Sequence, residues 1–126
     1  MSTRAEILIT TKDGTQQKYY HHHDGYPWGV GFDLVERVME NPKRFEFYDL
    51  RSVLTQDYEK EELNVEHGDS EYFYEVIAND KGITITYKKR IFSEFVSEWG
   101  EPREIFYMKY FDDIKAYIPK YINIRG

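Results

Sequence analysis

Two alternating runs joined by Asn79-Asp80-Lys81-Gly82 constrain this chain more than any other feature. Tyr72 to Ala78 leads into the turn. Ile83 to Ile91 leaves it, with Ile83, Ile85 and Tyr87 alternating against Thr84, Thr86 and Lys88. A period of two buries one face of a strand and wets the other, while Asn, Asp and Gly supply the backbone angles of a tight turn. An antiparallel hairpin follows. Near the N-terminus the same logic applies to the apolar, β-branched run Glu6 to Thr11, the turn Asp13-Gly14 and the returning run Gln16 to His22. In that returning strand Lys18, Tyr20 and His22 share one face, and Tyr19 and His21 share the other with His23.

Val30, Leu34, Val35 and Val38 recur at helical spacing, and Asn41-Pro42 stops that helix because proline disfavours the helical region for the residue before it. A shorter helix is expected from Phe47 to Gln56, carrying Phe47, Leu50 and Leu54 on one side. Phe92, Phe95, Val96 and Trp99 fit one helical face, broken by Gly100-Glu101-Pro102. Ile105 to Tyr110 reads as a last strand, and Asp112 or Asp113 as the cap of a final helix with Ile114, Tyr117 and Ile118, ended by Pro119. No repeat, low-complexity tract or linker interrupts residues 1–126. The expectation is one α+β domain, its antiparallel sheet built from the N-terminal and central hairpins, with two to four helices. A chain of 126 residues buries about 65–70% of its unfolded surface. Its twelve tyrosines and eight phenylalanines make an aromatic-rich core, with many tyrosine hydroxyls kept at the rim.

Cysteine is absent, which removes disulfides, thiolate metal sites and cysteine nucleophiles. With no apolar leader and no run of about 18 apolar residues, the expected location is cytoplasmic, with no membrane partner. The net charge of −6 is concentrated between residues 57 and 75. There Asp57, Glu59, Glu61, Glu62, Glu66, Asp69, Glu71 and Glu75 face Lys60 alone, a balance of −7 that leaves the rest of the chain at +1. Such a surface repels phosphate backbones, so direct nucleic-acid binding is disfavoured. It is read either as a solvated face or loop, or as a patch presenting carboxylates to a basic partner. Lys88-Lys89-Arg90 reads as a solvated strand end.

Tyr19 to Gly29 gathers three of the four histidines with Asp24, Gly25, Tyr26, Pro27 and Trp28. His21, His22, His23, Asp24, Tyr26 and Trp28 together are a candidate binding loop, since imidazole ligates metals, shuttles protons and donates to anions. His21, His23 and Asp24 offer donors for a divalent metal such as zinc, with His67 or an acid as a further ligand, although a His-x-His pair by itself is a weak signal. Equally, Asp24-Gly25 with Tyr26-Pro27 makes a rigid corner that Trp28 covers, with glycine serving any positive φ. No Gly-x-Ser-x-Gly, Walker loop or His-Glu-x-x-His is present, and Gly29-Val30-Gly31 is a very weak phosphate-loop signal. No catalytic residue and no cofactor are assigned.

The start Ser2-Thr3-Arg4-Ala5 and the run His23-Asp24-Gly25-Tyr26-Pro27-Trp28-Gly29 resemble a family of small uncharacterised phage, prophage and bacterial proteins. The likeness covers about the first quarter of the chain. It implies a phage or mobile-element context, hence the host cytoplasm, and carries no activity or catalytic residues with it. The leading expectation is a non-enzymatic accessory protein that inhibits a host defence system by masking a basic protein surface with its acidic patch. The alternatives are sequestration of a small anionic or nucleotide ligand by the histidine-rich loop, and a small histidine- or metal-dependent hydrolase.

Overall fold

The computed structural model describes residues 3–45, 54, 58–92, 97–111 and 116–122, with side chains described as far as residue 109. Both expected hairpins form, and they share a sheet. Strands β1 (Ala5–Thr10) and β2 (Gln16–His21) turn through Gly14 at φ 88°, and β4 (Tyr72–Asn79) and β5 (Gly82–Phe92) turn through residues 79–82. With β3 (Glu59–Glu61), β7 (Arg103–Phe111) and β8 (Ala116–Ile122), the sheet runs β3-β2-β1-β4-β5-β7-β8, and the short β6 (Ser97–Trp99) pairs with β5.

The sheet is mixed rather than purely antiparallel. The hairpins join through β1 and β4, which lie parallel with Ala5 beside Tyr72 and Ile7 beside Tyr74. Parallel neighbours need a long crossover, and the segment between β2 and β4 supplies it with α1 (Phe32–Glu40). Leu34, Val35 and Val38 recur on one side of α1 and are buried with Val30. They enter one core with Ala5, Ile7, Ile9, Tyr19, Tyr74, Val76, Ile83 and Ile85. Every one of those strand residues falls on one sheet face by register. Each fully buried aliphatic side chain contributes about 1.5–3 kcal/mol, so this face holds the domain together. The helix ends at Glu40 as Asn41-Pro42 requires, and the turn Pro42–Phe45 tucks Phe45 into the core.

Where β5 pairs β7 the register slips between Ile85 and Thr86, so that Ile105 is an extra residue and is buried together with Phe106. A bulge lets two successive side chains enter one core, which strict alternation forbids. One ambiguous segment and one expected helix resolve as strands where they are described, while Phe95, Val96, Asp112, Asp113 and Ile114 lie outside the described residues. Trp99 belongs to β6, in register with Arg90, and Tyr117 and Ile118 belong to β8, in register with Tyr110 and Lys109. The aromatic and β-branched residues of both segments suit a pleated strand as well as a helix, and pairing partners decided the outcome. Pro119 is tolerated because β8 is an edge strand. The helix expected over 47–56 lies outside the described residues except for the buried Leu54. Among the described residues no helix is long and apolar enough to cross a membrane.

Candidate functional site

The histidine-rich loop proves to be a tightly determined corner that leaves one aromatic exposed. Asp24, not Gly25, takes the positive φ, at 53°. Its carbonyl accepts from the Val30 N–H at 2.8 Å, and its carboxylate accepts from the Tyr26 hydroxyl at 2.8 Å. Gly25 donates its N–H to Thr3 at 2.9 Å, and its carbonyl accepts from the buried Tyr74 hydroxyl at 2.5 Å. A Cβ on Gly25 would lie 2.9 Å from the Arg4 carbonyl carbon, so glycine is required here by close approach rather than by φ. Pro27–Gly31 then makes one π-helical turn into α1, and Trp28 stacks on Tyr26 with centroids 4.8 Å apart while 59% of it is exposed.

The three histidines part company as strand alternation requires. His21 stacks on Tyr58 at 4.6 Å, and His22 lies edge-on to Tyr20 at 4.7 Å with Nε2 3.1 Å from Glu59 Oε1. His23 is exposed beyond the strand, its ring 6.4 Å from that of His22. Among the described residues the metal-ligand types that converge are elsewhere: donor atoms of Glu6, Glu61 and His67 all lie within 4.8 Å of one another.

That cluster is built on the sheet face opposite α1. Lys18 is buried there, its Nζ 2.7 Å from Glu6 Oε1 and also donating to Glu61 Oε2 and, at 2.7 Å, to the Val65 carbonyl. His67 Nε2 approaches Glu61 Oε1 at 2.7 Å, and the His67 ring stacks on Tyr20 at 3.8 Å. A metal at these donors would have to displace an ammonium that already neutralises two carboxylates. The cluster is therefore read as an internal clamp. It anchors the loop 62–70, which Arg90 holds from the other side by donating to the Ser70 carbonyl at 2.6 Å and the His67 carbonyl at 3.0 Å.

At the end of the clamp, Asp69 accepts from Arg4 at 2.6 Å and from the Tyr20 hydroxyl at 2.9 Å. Desolvation pushes the Asp69 carboxyl up, but the Tyr20 hydrogen bond and the Arg4 charge outweigh it and hold its pKa below the usual value. Desolvation and the same hydrogen bond push Tyr20 up to about 12. A lowered acid stabilises the fold above its unfolded pKa and loses that contribution as pH falls through the folded one. A raised tyrosine stabilises below its unfolded pKa and loses that contribution as pH rises through the folded one. Urea melts of Asp69→Asn are expected to show less acid-dependent loss below about pH 4, and Tyr20→Phe less alkaline loss above about pH 10, than the parent chain.

The acidic segment thus divides. Glu61 is taken up by Lys18, Asp69 is held by Arg4 and Tyr20 although half-exposed, Glu75 lies within β4, and Asp57 falls outside the described residues. Glu59, Glu62 and Glu66 are exposed on the sheet edge and loop, and Glu71 is half-buried where β4 begins. Glu66 also borders a cavity of about 520 Å³ beneath the loop, with Glu98 on its rim and Phe73 and Trp99 as walls, their rings 5.8 Å apart. A second cavity of about 460 Å³ opens beside Trp28, on the α1 face.

Sequence pattern does not single out Glu6, Lys18 and Arg90 as organisers. One signal was present: Glu6 interrupts an apolar strand, and a hairpin turning at Asp13-Gly14 sets it diagonally across from Lys18 on the same face. Arg90 carried no such signal, because its carbonyl partners sit on a loop 20 or more residues away. No family model, curated protein or solved structure matches this chain.

Proposed function

We propose that the protein works by binding, as a phage or mobile-element accessory protein that inhibits a host defence system by covering a basic protein surface. The observation that supports this reading is the clamped acidic loop beside the Phe73–Trp99 cavity. Loop 62–70 is tied down through Lys18 and Arg90, so its exposed carboxylates are held in place rather than presented on a freely moving chain. Glu66 and Glu98 stand at the mouth of a cavity with two aromatic walls. Arg90 already sits over the Trp99 ring, 4.2 Å from its centroid, so it is the exposed carboxylates that suit an arginine or lysine side chain of the partner, through charge-assisted hydrogen bonds. Prior ordering of the loop also lowers the entropy cost of association.

The test is charge reversal confined to acids that do not hold the fold. A Glu59→Lys, Glu62→Lys, Glu66→Lys, Glu71→Lys variant is expected to melt close to the parent and to lose at least about tenfold of its affinity for a basic host protein captured by the parent. Parent binding is expected to weaken steadily as salt rises, because opposite charges steer and hold the complex. Capture that ignores both the reversal and the salt would refute masking.

A further inference from the structure

We infer that the cleft beside Trp28 is a separate binding site, for a small planar heteroaromatic ligand carrying a phosphate, of the mononucleotide class. It lies on the sheet face opposite the clamped acidic loop, because Tyr72 and Tyr87 share the face of Ala5 and Tyr74, whereas Glu6, Lys18 and Phe73 point the other way. The cleft is therefore separate from the proposed masking surface.

The cavity, about 460 Å³, has the volume of a small-molecule site. Trp28 stands at its edge, 59% exposed, with Tyr26 stacked against it. A soluble fold normally covers an indole. Here the corner from Asp24 to Gly31 fixes it in the open, where its free area is available to a base. Deeper in, Tyr72 and Tyr87 are each only 7% exposed, with rings 6.0 Å apart. Neither hydroxyl has a hydrogen-bond partner among the described residues, and neither is sealed from solvent. The open side that both tyrosines face is this cavity. Two hydroxyls that open on the cavity without a partner among the described residues can hydrogen-bond a ligand's polar edge. Burial pushes the Tyr72 hydroxyl up, aided by Tyr87 and Glu71, so it stays a neutral donor.

Charge selects the other half of the ligand. Lys89 and Arg103 line the cavity with Glu101 as the acid among its lining residues, a formal balance of +1 on a chain of net −6, and Arg103 also keeps a contact within the chain. Arg103 is in register with Tyr87, and Lys89 with Tyr72, so each cation stands one strand across from a tyrosine hydroxyl's parent residue. Gly100 closes the end of the site by donating its N–H to the Lys89 carbonyl at 2.8 Å. Stacking surface, two hydroxyls and adjoining cations together match a base with its phosphate.

Titration of the full chain with adenosine monophosphate and guanosine monophosphate, followed by calorimetry and by tryptophan fluorescence in a Trp99→Phe background, tests this. At least one nucleotide is expected to bind with a dissociation constant of roughly 10–100 μM and to quench Trp28, with adenosine, guanosine and inorganic phosphate each at least about tenfold weaker. Trp28→Ala and the pair Lys89→Gln, Arg103→Gln are each expected to weaken binding at least about tenfold, whereas Trp28→Phe keeps a stacking face and most of the affinity. The charge-reversed acidic variant is expected to bind nucleotide as the parent does. No binding by either nucleotide up to about 1 mM, or equal binding by parent and Trp28→Ala, would overturn the inference.

Discussion

Replacing Lys18 with alanine is expected to lower stability by about 3–5 kcal/mol, because it leaves the buried Glu6 and the half-buried Glu61 without their cation. For a chain of 126 residues that corresponds to a fall in melting temperature of about 10–20 °C. Loop 62–70 loses a tether at the same time, since the same ammonium donates to the Val65 carbonyl. A Lys18→Met, Glu6→Met double variant removes a charge of each sign, keeps Glu61 on His67, and is expected to recover more than half of the loss. Thermal and urea melts measure both. A Lys18→Ala cost under about 1 kcal/mol would mean that the ammonium does not hold this loop.

Gly29→Ala is expected to be nearly as damaging, at about 3 kcal/mol, whereas alanine at His21, His22 or His23 costs less than about 1 kcal/mol. A Cβ on Gly29 would overlap the Asp24 carbonyl oxygen, far inside van der Waals contact. That carbonyl accepts from the Val30 N–H, so relieving the clash opens the turn at the start of the π-helical segment. The histidines hold only edges. His22 contacts Glu59 at the surface, His21 is half-buried against Tyr58, and His23 is exposed. Melting temperatures in the reverse order would make the histidines structural and the glycine corner dispensable.

These two substitutions separate what is local from what is not. Gly29 sits in a segment whose Gly, Pro and aromatics announce a rigid corner at Asp24, Gly25 and Pro27, but in sequence Gly29 itself shows only as part of a very weak phosphate-loop signal. The positive φ was less legible, because it falls on Asp24 beside an available glycine. Asparagine and aspartate tolerate that region, and here the close packing of Gly25 on Arg4 and Thr3 uses the glycine for space instead. Lys18 was visible only as one polar residue on a strand face shared with Tyr20 and His22.

Local pattern by itself determined both hairpins, the end of α1 and the split of the histidines across the two strand faces, because turn chemistry and side-chain period act over a few residues. Tertiary structure decided how the hairpins join. A parallel β1–β4 pair depends on a crossover that no local period encodes. It also decided which ambiguous aromatic segments became strands, since β6 and β8 gained partners in β5 and β7 rather than a helical face. And it sorted the acids. Glu61 and Asp69 read like their neighbours in sequence, but Lys18 and Arg4 lie within reach of those two, so they became clamps while Glu62 and Glu66 stayed at the surface. A carboxylate's role follows from the cation nearest to it in space, and chain separation of 43 to 65 residues hides that cation from any reading of local sequence.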